Sequence, residues 1–203
     1  MSISNNTIER ICRIFGYLDS IEKEKIEFIS SSELAKAIGA TEHTVRKDIS
    51  QLNVIGFTRK GYEVKSLKKE LGRKLNLDKH RKACIVGLGR LGTALLDYEK
   101  FQDDGFQIVA GFDCSINKIE RIKSDINVFQ VNRLKEIVKQ QGIELGIIAV
   151  PAKSAQSVAD RLSEAGVKGI LNFSPIKVNV ASGIIHLDMN FTSALRVISA
   201  QFK

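Results

Sequence analysis

The stretch Ala83-Cys84-Ile85-Val86-Gly87-Leu88-Gly89-Arg90-Leu91-Gly92 decides how this chain is read. Four small or apolar residues run into Gly87, and Gly87, Gly89 and Gly92 are spaced as G-x-G-x-x-G. Beyond them Leu91, Ala94, Leu95 and Tyr98 recur at helical spacing. The glycines therefore fall where a buried strand turns into a helix, the setting a dinucleotide-binding loop requires. Gly87 permits the tight turn, Gly89 leaves the backbone bare for a pyrophosphate, and Gly92 lets the helix pack close to the strand. The helix N-terminus then offers N–H groups and a positive dipole to the phosphates.

Phe106-Gln107-Ile108-Val109-Ala110-Gly111-Phe112-Asp113 follows as a second apolar strand ending in an acid. A carboxylate there partners a ribose hydroxyl and repels a 2′-phosphate, so Asp113 favours NAD over NADP. It stands later than the usual gap of about 20 residues, which a longer connection after Lys100 accounts for.

The 203 residues allow two small domains, and 43% hydrophobic with 27% charged residues is an ordinary soluble composition. No apolar run approaches the ~20 residues of a membrane span. The N-terminus lacks an apolar signal-peptide core, so a cytoplasmic protein is expected. Cys12, Cys84 and Cys114 lack metal-ligand spacing, and no metal is expected. Cys84 reads as a buried small hydrophobe, Cys114 as an ordinary residue or a reactive thiol. Of the net charge of +8, the excess lies early: Arg59 to Lys82 holds ten Lys or Arg against three acids. An anionic polymer partner for the first part of the chain fits that bias.

Ile8, Ile11, Phe15 and Leu18 mark an amphipathic helix over 7–20. Glu22 to Glu27 reads as a loop or helix end. Ser30-Ser31-Ser32 with Glu33 starts a second helix that Gly39 ends, and Thr41 caps a third. Helix, glycine turn and helix make a helix-turn-helix. Val45 faces back toward Leu34 and Ile38, while Glu42, His43, Arg46 and Lys47 face out. In a DNA complex Arg46 reaches a guanine edge or a phosphate, Lys47 a phosphate, and His43 and Thr44 base edges. Val54 to Val64 reads as a hairpin with Arg59 and Lys60 at its tip, the wing of a winged helix, touching phosphates. A linking helix is expected over 66–77.

Strand and helix then alternate: a helix over 132–141, a strand from Leu145 into Val150 and Pro151, a helix over 154–165 closed by Gly166, and strands at 169–173 and 184–188. That order implies a doubly wound parallel α/β sheet. Pro151 ends its strand where a nucleotide crosses the carboxyl edge. Phe191, Leu195, Ile198 and Phe202 form one stripe of a terminal helix, able to dock on its own domain or exchange with a partner chain. The expected division is 1–79, 80–187 and 188–203.

Several of these stretches together resemble the Rex family of redox-sensing transcriptional repressors. They are Thr44-Val45-Arg46-Lys47-Asp48, Arg59-Lys60-Gly61-Tyr62, the glycine loop, Ala94-Leu95-Leu96-Asp97-Tyr98, Val150-Pro151-Ala152, and the run from Gly166 to Pro175. The resemblance implies a winged-helix domain on operator DNA and a Rossmann domain that senses NADH against NAD. It further implies a homodimer that exchanges its C-terminal helices, and no catalysis. It extends the cofactor contacts from Gly87, Gly89, Gly92 and Asp113 to Arg90, Leu91, Thr93, Tyr98, Val150, Pro151, Asn172, Phe173 and Asp188. Tyr98 would hydrogen-bond the Asp188 carboxylate in one state and release it in the other. Asp188 also reads as the N-cap of the last helix. Two positions depart from the family pattern: Gly16 stands where an arginine is usual, and Leu52-Asn53 where an aromatic-glycine pair is usual. A small NAD-dependent dehydrogenase and a nucleotide- or coenzyme-A-binding regulator are the rival readings. Neither a catalytic Tyr-x-x-x-Lys nor a Ser/His set supports the first.

Overall fold

The structure is a computed structural model that describes residues 3–54 and 60–202. The chain divides into two compact units, Met1–Lys79 and His80–Lys203.

The first unit is built on α1 (Asn5–Lys23). Its buried face is Thr7, Ile11, Ile14, Leu18 and Ile21, a stripe rotated from the expected one: Ile8 is on the outside and Ile14 within. After β1 (Phe28–Ile29), α2 (Ser31–Ile38) opens on a capping box, with the Glu33 N–H on Ser30 Oγ and the Ser30 N–H on Glu33 Oε2. The Ser30 hydroxyl and N–H, both donating to Glu33 Oε2, hold the carboxyl below its ordinary pKa. Gly39 ends α2 at φ +68°, a conformation that disfavours any side chain. Thr41 then caps α3 (Glu42–Gln51). Leu34, Val45 and Ile49 are fully buried with Ile11, Ile14, Leu18, Leu67 and Leu71 in one core. Each contributes about 1.5–3 kcal/mol by leaving water.

The wing differs from its expected form. Residues 55–59, its expected first arm with Arg59, lie outside the described residues. The second arm, β2 (Tyr62–Glu63), pairs antiparallel with β1, a partner without any signal in the residue pattern. Gly61 (φ +80°) lies so close to β1 that a Cβ would meet the Ile29 carbonyl oxygen at 2.3 Å. The linking helix α4 starts earlier than expected, at Val64, and runs to Leu75.

In the second unit six strands form one wholly parallel sheet. They are β3 (Arg81–Val86), β4 (Phe106–Asp113), β5 (Val128–Gln130), β6 (Leu145–Ile148), β7 (Gly169–Asn172) and β8 (Ile185–Asp188). Their spatial order is β5-β4-β3-β6-β7-β8. Chain direction across the sheet reverses between β3 and β6, which puts the ligand crevice of a Rossmann fold at the carboxyl ends of those two strands. Side chains alternate along β3: Cys84 and Val86 join Phe112, Ile148 and Leu162 on one face, Ala83 and Ile85 join Leu96 and Ile108 on the other. Burial pushes the Cys84 thiol up to about 12, as befits a small hydrophobe.

The connecting helices are α5 (Arg90–Leu96), α6 (Lys100–Asp103), α7 (Ile116–Ile119), α8 (Leu134–Gln141) after a 3₁₀ turn at Val131–Arg133, and α9 (Ala152–Ala165). The short strand β5 and the helices α6 and α7 were not foreseen. No helix joins β7 to β8, so one sheet face, packed under α5 at β3, stays open over β6–β8, where Leu145, Leu171, Ile185 and Leu187 line it. The chain ends in α10 (Phe191–Ser199), none of whose residues is buried. Among the described residues no helix is long and apolar enough to cross a membrane.

Candidate functional site

The glycine loop has the geometry its spacing demands. Gly87 sits at φ +97°, and a Cβ on it would strike the Ala149 carbonyl oxygen at 2.7 Å, so the loop lies against the end of β6. A Cβ on Gly92 would stand 1.9 Å from the Gly87 carbonyl oxygen, so α5 packs directly on the loop. Gly89, the N-cap of α5, is different: a Cβ there would meet no protein atom within 4 Å. Gly89 lines a cleft of about 770 Å³ together with Gly87, Arg90, Leu91, Asp113, Val150 and Pro151. First-turn N–H groups of a helix have no acceptor within it, and those of α5 begin at this glycine.

Asp113 ends β4 at the same cleft, 4% exposed. Its Oδ2 accepts from the Leu88 N–H at 2.8 Å and its Oδ1 from the Ser115 N–H at 2.9 Å. Lys118 Nζ lies 3.4 Å from Oδ2. Burial works to raise the Asp113 pKa, but the two N–H bonds and Lys118 outweigh it and hold the carboxyl below its ordinary value. Asp113 therefore ties the glycine loop to β4, and Oδ1 keeps capacity for a second donor. Lys118, Lys153, Arg161 and Cys114 also line the cleft. Of these only Cys114 stood out in the sequence, because surface cations on α7 and α9 carry no spacing signal.

The other expected cofactor residues divide. The Thr93 hydroxyl turns back to the Leu88 carbonyl at 3.3 Å, a bond within the loop. Asn172, Phe173 and Asp188 gather at the carboxyl ends of β7 and β8. Fully buried Asn172 donates to Asp188 Oδ1 at 2.7 Å and to the Ile176 carbonyl at 2.8 Å, and Phe173 stacks on Phe191. Asp188 is not the cap of α10; Asn190 is, accepting from the Ser193 N–H. Tyr98 is not on the helical stripe of α5, which ends at Leu96. Its ring, 52% exposed, lies edge-on to Phe101 beside the amino end of β4, away from the cleft.

On the first unit His43, Arg46 and Lys47 are exposed on α3, as is Lys60 beyond it. Thr44 is half-buried, and its hydroxyl and N–H both bond Thr41 Oγ1 at the helix cap. Arg46 pairs with Glu42, and its Nε donates to Ser31 Oγ at 2.9 Å. Lys60 Nζ lies 5.5 Å from the Phe28 ring centre. The sequence reading gave Asp48 no role, yet it is 2% exposed on α3 and gripped by Arg10 of α1. Arg10 Nε donates to Oδ2 at 2.6 Å and its Nη2 to Oδ1 at 2.9 Å, while the Thr7 hydroxyl donates to Oδ1. The Asp48 bond raises the Arg10 pKa against the effect of burial. An acid on the apolar face of Val45, Ile49 and Leu52 was the available sign that a buried cation partner must exist.

Comparison with known proteins agrees with both halves. Residues 78–176 match a family described as "CoA binding domain", and residues 2–50 one described as "Putative DNA-binding protein N-terminus". The redox-sensing transcriptional repressor Rex of Carboxydothermus hydrogenoformans is 38% identical over 97% of this chain and 95% of its own. Rex 1 of Thermotoga maritima is 35% identical over 94% of this chain and 91% of its own. A crystal structure of RSP with β-NAD⁺ and operator DNA superposes at TM-score 0.89 and 32% identity, covering 99% of this chain and 93% of that one. RSP with β-NADH superposes at TM-score 0.85 with 31% identity, covering 99% of this chain and 94% of that one. The chain belongs to the Rex family of redox-sensing transcriptional repressors.

Proposed function

We propose that this chain represses transcription by binding operator DNA through α3 and the wing, and that NADH against NAD⁺ in the glycine-loop cleft sets its DNA affinity. The observation that carries the reading is that one chain joins a glycine loop open at Gly89 to a helix-turn-helix with a basic outer face. The pyrophosphate belongs at Gly89 and the first turn of α5. The adenosine ribose belongs near Asp113 and Lys118, and Val150 and Pro151 form the opposite wall. Arg90, Lys153 and Arg161 add positive charge against the phosphates. Such a regulator acts in the cytoplasm, beside the DNA.

The second copy is part of the reading. The open part of the sheet over β6–β8 and the exposed Leu195, Ile198 and Phe202 are two apolar surfaces left open among the described residues. An exchanged α10 laid on the partner's sheet buries both. Tyr98 sits at the amino edge of the parallel sheet and Asp188 at its carboxyl edge. A Tyr98–Asp188 contact is therefore one between protomers.

The test is a titration of DNA affinity, for a duplex selected by the protein from a random-sequence pool, across NADH/NAD⁺ ratios. NADH should weaken DNA binding without being consumed, and coenzyme A and NADPH should have little effect. Tyr98→Phe should keep NADH binding and lose most of the release. A protein that turns NADH over, or whose DNA affinity ignores it, would refute the reading.

A further inference from the structure

We propose that Glu42 is a positioning residue that, through Ser31, aims Arg46 at a base edge and so sets how well operator is told from random DNA. The inference rests on the reading that α3 enters the DNA. Glu42 is the first residue of α3, and Arg46 lies one turn on. Ser31 is the first residue of α2 and is 7% exposed. Its hydroxyl donates to Glu42 Oε1 at 2.8 Å and accepts from Arg46 Nε at 2.9 Å. Arg46 Nη2 closes the triangle on the same Glu42 oxygen. The three side chains span both helices of the helix-turn-helix, and the buried corner is the hydroxyl that uses both its donor and its acceptor.

An exposed i,i+4 ion pair alone adds little stability. This one instead fixes direction. The Nε/Nη2 edge of the guanidinium is held from the protein side, so its Nη1 end is offered to the groove in one orientation, as planar recognition of a base requires. An untethered arginine swings equally well onto a phosphate. Glu42 also sets a negative charge at the end of α3 that enters DNA, in a chain of net charge +8. That charge weakens the phosphate contacts of operator and random duplex alike, so the ratio of the two is left to the direction in which Arg46 is held.

The experiment uses the full chain, the duplex it selects from a random pool, and a random duplex of equal length, each across a salt series. Arg46→Ala should lower the ratio of the two affinities by roughly tenfold or more. Glu42→Ala should lower it by about tenfold while tightening random-duplex binding and steepening its salt dependence by about one phosphate contact. Ser31→Ala, which leaves the acid in place, should lower the ratio in the same direction by less. In an Arg46→Ala background Glu42→Ala should lower it no further. Melting temperatures of the variants should stay near that of the parent. If Arg46→Ala lowers the ratio and Glu42→Ala does not, the proposal fails while α3 remains the reading helix. An equal fall in the Arg46→Ala background means that Glu42 touches a base itself, which also overturns it. If Arg46→Ala changes nothing, α3 does not read DNA, and both fail.

Discussion

Asp48 shows how much one residue can decide. A carboxylate 2% exposed on the inner face of α3 is tolerable only because Arg10 meets both its oxygens. Arg10→Ala would leave that charge buried with the Thr7 hydroxyl as its one remaining partner. The expected loss is about 3 kcal/mol in urea unfolding of the first unit. Removing both partners, in Arg10→Ala with Asp48→Ala, should lose less than the sum of the two single changes; strict additivity would mean that the pair is not coupled. Asp113 makes a second residue-scale case, through pH. Its folded-state pKa lies below the ordinary 3.8, so its bonds stabilise the fold in full above that value. The contribution is lost as pH falls through the folded-state pKa. Against Asp113→Asn, wild type should be about 1–3 kcal/mol more stable at pH 7, and the gap should shrink as pH falls below the ordinary 3.8. A gap independent of pH would show that the charge of Asp113 does not matter.

At the scale of an element, the strand–loop–helix at β3 and α5 uses three glycines for three separate reasons, and the reasons predict different failures. A side chain on Gly89 meets open cleft, and one on Gly92 meets the Gly87 carbonyl. Gly89→Val should fold with a melting temperature near wild type and bind no NADH, because the valine occupies the room of a pyrophosphate. Gly92→Ala should instead lose stability, since backbone has to move to admit it. NADH affinity of Gly89→Val equal to wild type would remove the phosphates from that loop. The α1 element carries the opposite lesson. Its apolar residues permit two overlapping stripes, and only the position of α4 and α3 decided that Ile14 points in and Ile8 out.

At the scale of the whole molecule, α10 and the uncovered face of the sheet matter most. Leu195 is 65% exposed and belongs to a stripe that, apart from Phe191 stacked on Phe173, stays open among the described residues. Leu195→Glu should leave the sheet domain folded yet yield monomers in sedimentation, with weaker DNA binding because two half-sites are no longer held together. A dimer of unchanged stability would place the interface elsewhere.

Periodic and local features were legible in the chain itself. The helix-turn-helix, its Ser30 and Thr41 caps, the Gly39 stop, the glycine loop and the repeated strand–helix order all act through near neighbours, so their residue types and spacings carry the signal. What needed tertiary structure was every feature joining distant segments. The pairing of β2 with β1 depends on backbone bonds that any residue can make. The grip of Arg10 on Asp48 spans 38 residues, and that of Asn172 on Asp188 spans 16. Tyr98 shares the helical spacing of α5 but falls past its last turn, because the chain leaves the helix at Asp97. The sequence determined the helix-turn-helix, the glycine loop and the main strand–helix alternation, though not β1, β5, α6 or α7, and where a dinucleotide and DNA are to be sought. Tertiary structure alone decided which charges are neutralised inside and which apolar faces stay open, because each of these is set by contacts between residues far apart in the chain; it also brought Ser31 of α2 to the Glu42–Arg46 pair.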